Sequence, residues 1–414
     1  MTGLGLRAIS WAVSLWTPGS RPADAGRERT GSDQSADVAP GSLPDDPPQV
    51  LAVTAHRPQE LREPLGLVDA PTETVDLDLS GNILGRSAAV LREIRRALRA
   101  HDPDVVVFDC RELTGVLVTL TFLAHGVPTV FRLKGDYWRG LAETYRPERG
   151  DGLSQRARYH TSRLLNEVIY ALASGFVVVS EELKRVVVER TGCHPDRVQV
   201  VHVPLDTDRD PGSAERARER HRIDETRVFL TVTNLTYRKK YQGVETTLRG
   251  MASVLGADDD SAYVVAGGGP YYEDLVETLD RVIDDPDVRD RIYAPGFVDA
   301  VDDLYALADG FVYVSHLDGY PNAVLEAQQA GLPVVANAAF GMVEQVEDGE
   351  TGHLLDDPGP ADVAEAVSTL IADPERRARL GRKARESVET ENHPEAIGRR
   401  LVAALARIRR SDRR

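Results

Sequence analysis

Two series of short apolar runs alternate with segments of helical period along this chain, and a polar stretch separates the series. The first series has strand-type runs at residues 50–53, 105–108, 128–131, 175–179 and 198–201. Helical segments at 86–100 and 117–124, and one ending near residue 173, fall between them. Residues 206–226 are polar and charged and read as a connector. The second series has runs at 228–230, 263–265, 291–293, 311–314, 333–336 and 353–355, followed by helical sequence at 361–371, 375–389 and 396–408. Such alternation implies βαβ units and parallel sheets. Two doubly wound sheets joined by a linker are expected to face each other across a cleft, with ligands beyond the carboxyl ends of the strands. The expected division is a disordered extension at 1–48, domains at 49–205 and 206–392, and a terminal helix at 393–414.

Composition bounds the function classes. Hydrophobic residues make up 42% and charged residues 28% of 414, enough for large cores. A formal charge of -16 argues against nonspecific nucleic-acid binding, because phosphate is repelled. Lysine occurs only at Lys134, Lys184, Lys239, Lys240 and Lys383, so the positive charge is almost all arginine. Abundant Asp with scarce Lys fits adaptation to high salt, and a GC-rich genome fits equally. Cys110 and Cys193 fall in separate loops, which suggests neither a disulfide framework nor a metal site. No apolar run reaches the ~20 residues of a membrane span, and residues 8–16 are too short for one. A cytoplasmic enzyme is the expectation. Residues 19–48 are rich in Gly, Pro, Ser, Asp and Arg and cannot bury enough surface to offset chain entropy. A competing idea for residues 6–16 is a weak amphipathic anchor.

The densest chemical signal is SHLDGYPNAVLEAQQAGLPVVAN, Ser315 to Asn337. A strand ends at Ser315, a loop carries Asp318 and Gly319, and a helix starts near Pro321 and carries Glu326. Proline suits a first helical turn, and the N–H groups around Asn322 to Val324 are expected to be free for an anion. A carboxylate, backbone donors and a helix dipole in one place suit a sugar pyrophosphate; an ordinary strand-turn-helix with a surface Asp would look the same.

Here the chain resembles the retaining glycosyltransferase family four. DGYPNAVLEA is similar to that family's EGFPNVLLEA, with seven residues between Asp318 and Glu326, and AGLPVVA, GMVE at 341–344 and DGETGHLL match as well. The resemblance implies the GT-B architecture, an α/β fold of two Rossmann-like doubly wound domains. It implies that Glu326 binds ribose hydroxyls and that Asp318 binds hydroxyls of the transferred sugar. The family usually has Glu at the position of Asp318; one methylene fewer moves the carboxylate about 1.5 Å.

A second constellation, TNLTYRKKYQG from Thr233 to Gly243, holds Arg238, Lys239 and Lys240. Fixed cations beside a departing diphosphate lower the barrier to its loss, with no metal required. The family places an Arg at the strand and a Lys further on. Lys240 fits the Lys position, Asn234 stands at the other, and Arg238 or Lys239 is the candidate replacement. The turn Gly267-Gly268-Gly269-Pro270 resembles the family's GxGP element near the nucleotide, and Gly296-Phe297-Val298 its base-contacting element. The resemblance thus adds Gly268, Val298, Gly319, Tyr320, Pro321 and Asn322 to the donor-binding candidates. The N-terminal half matches only in outline: Thr54-Ala55-His56-Arg57-Pro58 replaces the family's Gly-Gly turn, and RLKGDYW from Arg132 replaces its His loop. Acceptor-side candidates are His56, Arg57, Asp109, Arg111, Arg132, Lys134 and Asp136. On the segment 86–100, Arg92, Arg95, Arg96 and Arg99 form a stripe, a candidate for peripheral contact with anionic lipid, or simply a solvated face.

The resemblance therefore implies transfer of a sugar, with retention, from a UDP- or GDP-sugar to a glycan or lipid-linked acceptor in cell-envelope glycan biosynthesis, cytoplasmic or at the inner face of the membrane. The nucleotide sugar is a substrate, and neither cofactor nor metal is expected. The alternatives are a nucleotide-sugar epimerase of the same architecture and a non-catalytic nucleotide-sugar binder.

Overall fold

The computed structural model describes residues 43–55, 57–80, 82–145 and 152–412. The candidate anchor at 6–16 and most of the expected extension lie outside them; residues 43–48 form no helix or strand, and Leu43 packs against the first core.

Six strands build the first sheet: β1 (Val50–Thr54), β2 (Thr72–Asp76), β3 (Val105–Phe108), β4 (Thr129–Leu133), β5 (Gly175–Val178) and β6 (Val198–Val200). All pair in parallel, in the order β2-β1-β3-β4-β5-β6. The second sheet holds β7 (Arg227–Val232), β8 (Ser261–Ala266), β9 (Ile292–Gly296), β10 (Gly310–Tyr313), β11 (Val334–Asn337) and β12 (Gly352–Leu355). It too is parallel, ordered β12-β11-β10-β7-β8-β9. Helices cover both faces, which is why β1, β3, β4 and β5 are buried throughout and are mainly apolar, with Arg132 the charged exception in β4. This is the GT-B fold. β2 escapes sequence reading because it is an edge strand, TETVD, whose only large apolar residue is Val75.

Strand order reverses between β1 and β3 in the first sheet and between β7 and β10 in the second. At such a point adjacent strands send their following loops to opposite faces, and a crevice opens beyond the strand ends. The loops after β1 and β3, and after β7 and β10, therefore flank these crevices, and β4 is the next strand beyond β3.

The chain crosses between the halves twice. After β6 it runs through Val203 and Leu205 into the second half. It returns near Asn392, and helix Pro394–Asp412 then packs on the first sheet, with Ile397, Leu401, Leu405 and Ile408 against the side chains of Val50, Ala52, Val105 and Val107. Gly398 allows the same helix to lie against helix Gln59–Gly66, since a Cβ there would sit 2.0 Å from the Pro64 carbonyl oxygen. Buried Asn392 ties the crossings together: its Nδ2 donates to the Val203 carbonyl at 2.8 Å, and its carbonyl accepts from Leu205 N at 2.8 Å. Among the described residues no helix is long and apolar enough to cross a membrane.

Leu405 is fully buried against the first sheet. Leu405→Ala is expected to cost about 2–5 kcal/mol, read as a lower urea midpoint followed by far-UV circular dichroism.

Candidate active site

β7 and β10 are neighbours at the switch point of the second sheet, so the loops that leave them meet. Helix Arg238–Leu255 starts after the first loop and helix Asn322–Gln329 after the second. Gly243 lets the first helix lie against the end of β10, because a Cβ there would be 1.9 Å from the Val314 carbonyl oxygen. Lys240, one turn earlier, then reaches Asp318 with Nζ 3.0 Å from Oδ1. The Tyr313 hydroxyl and Ser315 Oγ donate to Asp318 Oδ2 at 2.9 and 2.6 Å. Both charged side chains are close to buried, at 10% and 13% exposure, so each depends on the other and on these hydroxyls for the solvation it has lost. Burial alone would push the Lys240 ammonium down in pKa; Asp318 and the Tyr313 hydroxyl outweigh burial and hold it above the usual lysine value.

Glu326 stands on the next helix. The Tyr305 hydroxyl donates to its Oε2 at 3.0 Å, and Arg209 Nη2 lies 3.8 Å from the same oxygen. Arg209 is itself held by Asp302 and by the face of the Tyr305 ring, 4.5 Å from the centroid. Burial raises the Glu326 carboxyl above its usual value, and Arg209 and the Tyr305 hydroxyl offset only part of that.

Lys240, Asp318 and Glu326 line one cavity of about 520 Å³. Gly268, Val298, Gly319, Tyr320, Pro321 and Asn322 line it too, together with Asn234 and the exposed ring of Phe297. Gly267 and Gly269 both adopt φ 149°. Cβ atoms there would sit 1.7 Å from the Thr233 carbonyl oxygen and 2.5 Å from the Leu235 carbonyl carbon, so this turn can close on the β7 loop only as glycine. Tyr320 faces the cavity and also stacks on His202 of the first crossing, with centroids 4.8 Å apart and planes at 18°; its hydroxyl accepts from Asn392 Nδ2 at 3.2 Å.

Two expectations need correction. Arg238 and Lys239 are not on the cavity wall: a helix advances about 100° per residue, so the turn that aims Lys240 inward aims its two predecessors elsewhere. Lys239 acts instead on His316, which burial and, more weakly, this lysine push down in pKa. Nor is the helix start as open as expected. Pro321 caps the helix from outside, and the Val324 amide donates to the Pro321 carbonyl at 3.2 Å, which leaves the amides of Asn322 and Ala323.

The opposite wall comes from the first sheet: Arg57 and Glu60 beyond β1, and Lys134 beyond β4. Glu60 Oε2 takes Lys134 Nζ at 3.1 Å and Arg132 Nη1 at 3.2 Å, with Arg57 Nη1 3.7 Å from Oε1. Asp109 Oδ2 lies 3.9 Å from Lys134 Nζ and accepts from Thr54 Oγ1 at 3.0 Å, while Oδ1 accepts from Ala55 N at 3.2 Å. Burial would raise the Glu60 carboxyl, but Arg132 and Lys134 hold it below its usual value. Of the acceptor-side candidates, Arg57 and Lys134 reach the cavity, and Arg132 and Asp109 are buried behind it. Arg111 lies over the Tyr137 ring, and Asp136 caps helix Tyr137–Thr144. His56 is outside the described residues.

Sequence reasoning missed Glu60, Arg209, Tyr305 and Tyr313. Arg209 lies in the polar connector, where nothing distinguishes it from its charged neighbours. Tyr313 falls inside the run read at 311–314, where nothing marks it as a hydrogen-bond donor.

The fold and this cleft define a two-domain α/β protein of GT-B type. Residues 213–387 match the family model "Glycosyl transferases group 1" and residues 42–209 match "Glycosyltransferase Family 4". The two models together span most of the chain, and the protein belongs to the group 1 glycosyltransferase family. It is 32% identical over 214 residues to the GDP-mannose-dependent alpha-(1-6)-phosphatidylinositol monomannoside mannosyltransferase of Mycobacterium tuberculosis, covering 49% of this chain and 54% of that enzyme. The match thus spans about half the length of that mycobacterial relative. Over 331 residues it is 28% identical to the D-inositol 3-phosphate glycosyltransferase of Thermomonospora curvata, covering 76% of this chain and 74% of the relative. Among solved structures, Anabaena Alr3699/HepE in complex with UDP and glucose aligns with a TM-score of 0.63 at 16% identity, over 86% of this chain and 99% of the other. WaaG, a glycosyltransferase involved in lipopolysaccharide biosynthesis, aligns with a TM-score of 0.59 at 15% identity, over 86% and 99%.

Gly267→Ala is expected to disrupt the turn and this end of the cavity. Isothermal titration with nucleoside diphosphates should show affinity lowered at least tenfold, with far-UV circular dichroism retained.

Proposed function

We propose that this protein moves a hexosyl group, with retention and without a metal, from a UDP- or GDP-sugar to a glycan or lipid-linked acceptor. The observation that carries the reading is the convergence of Lys240, Asp318 and Glu326 on one wall of one cavity at a topological switch point. A nucleotide-sugar epimerase or a simple binder would use the same cleft. The buried cation favours transfer, because a leaving diphosphate gains negative charge as the glycosidic bond breaks. Glu326 accepts from the ribose hydroxyls, Asp318 orients sugar hydroxyls, and Lys240 faces the diphosphate. The exposed Phe297 ring offers a face to the base. Similarity to a GDP-mannose-dependent phosphatidylinositol monomannoside mannosyltransferase supports a nucleotide-sugar donor and a lipid-linked acceptor.

Lys240→Ala is expected to lower turnover about 10²-fold or more, measured as donor-dependent transfer; unchanged turnover rejects its role. Glu326→Ala should chiefly raise the donor's KM. The Glu326 carboxyl is raised by burial, and only the carboxylate offers both oxygens as acceptors. Donor affinity is therefore expected to fall on acidification, starting above the ordinary carboxylate range, and the fall should be absent in Glu326→Gln.

The acceptor reading extends to an anionic bilayer. Arg92, Arg95, Arg96 and Arg99 are exposed on helix Ile83–His101, whose first residues Ile83 and Leu84 are also exposed. The neighbouring helix Glu112–Ala124 leaves Leu113, Leu120 and Leu123 uncovered. Exposed apolar side chains on this helix and its neighbour, with four arginines on a chain of charge -16, fit a bilayer with acidic headgroups. Sedimentation with phosphatidylglycerol vesicles at low salt should pull down the protein. The Arg95→Glu, Arg99→Glu double variant should stay in solution, and an equal response to pure phosphatidylcholine vesicles rejects the electrostatic part.

A further inference from the structure

Within the second half, the positive charge needed at the diphosphate is short. Asn234 stands on the cavity wall where a strand-end cation would serve, and it is uncharged. Lys240 is neutralised in place by Asp318 at 3.0 Å. Arg209 is paired with Asp302, its Nη2 lies 3.8 Å from Glu326 without donating a hydrogen bond, and Arg209, Arg238 and Lys239 are all off the cavity wall. A nucleoside diphosphate that leaves with an added negative charge therefore meets little uncompensated positive charge on this side.

The first half carries the opposite imbalance. Arg57, Arg132 and Lys134 surround Glu60 and Asp109, three cations to two carboxylates, and Arg57 and Lys134 are the two that reach the cavity. Arg132 is buried and holds Glu60 from behind, which frees the front of the cluster. The lysine is also placed close to the donor loop. A Cβ on Gly319 would lie 2.4 Å from the Lys134 carbonyl oxygen and 3.0 Å from Gly135 Cα, so the end of β4 and the Asp318–Gly319 loop are in direct contact. Burial and Arg132 pull the Lys134 ammonium down in pKa, and Glu60 and Asp109 oppose them; an incoming phosphate would add to that opposition and be held in turn.

We infer that Lys134 and Arg57 of the first half supply the positive charge that binds and stabilises the leaving diphosphate, in place of a strand-end cation in the second half. The inference rests on the function proposed above and assigns the charge in that site. As the bond from the anomeric carbon to the β-phosphate oxygen breaks, its electron pair stays on that oxygen. The acceptor oxygen forms the new bond to carbon, and its proton passes to the departing phosphate. Lys134 and Arg57 face the charge that accumulates on the β-phosphate, so the leaving-group site is complete only when both walls are in place. Lys134 acts on the β-phosphate and not on the nucleoside, whereas Arg57 also lies within electrostatic reach of Glu326.

The test is the ratio of affinities for nucleoside diphosphate and nucleoside monophosphate of the same base, measured by titration calorimetry with turnover alongside. Lys134→Met is expected to weaken diphosphate binding at least tenfold, leave monophosphate binding within twofold, and lower kcat more than it changes KM; Lys134→Arg should recover part of each loss. Arg57, more than half exposed, can be changed with little risk to folding, and Arg57→Gln should shift the same ratio in the same direction. If Lys134→Met does not fold, Arg57→Gln alone decides. An unchanged diphosphate-to-monophosphate ratio, with normal wild-type transfer, overturns the inference and leaves the proposed function standing. Wild-type protein that binds no nucleotide sugar overturns both.

Discussion

An ammonium and a carboxylate buried side by side make a costly arrangement, and much of the second half is arranged so that Lys240 and Asp318 can keep it. Removing either from water is unfavourable unless the partner and further hydrogen bonds compensate. Strand order brings β7 and β10 together, Gly243 allows the helix to close on Val314, and Tyr313 and Ser315 complete the shell around Asp318. A pair so placed gives little to stability that an apolar pair would not. What it retains is a cation at fixed position beyond the end of a parallel sheet, where a ligand enters.

How much of this was legible in the sequence follows from which signals are local. Alternation of strand and helix periods revealed both sheets, because strands covered on two faces are nearly pure apolar runs. β2 was silent, since this edge strand, TETVD, buries none of its residues fully and has no such run. The spacing of Asp318 and Glu326 was readable because one loop and one helix turn carry both. Arg209, Tyr305 and Glu60 could not be read, because each reaches the site through tertiary contact alone. The error over Arg238 and Lys239 has the same origin. Three consecutive basic residues look alike in a string, and only the phase of the helix decides that Lys240 turns inward.

Charge is divided across the cleft in a way that single-domain reasoning would not show. The second half sets two cations against three carboxylates: Lys240 sits with Asp318, and Arg209 with Asp302 and Glu326. The facing wall has the surplus, around a glutamate held by arginines and a lysine.

Tyr320 belongs to two structures at once. One side borders the cavity; the ring lies on His202 and the hydroxyl is tied to Asn392, where the chain passes between the halves in each direction. A rotation of the halves about those strands would have to carry this ring with it, and with the ring the backbone that follows Gly319. Any change in the angle between the lobes about these crossings would therefore displace a side chain that also borders the cleft.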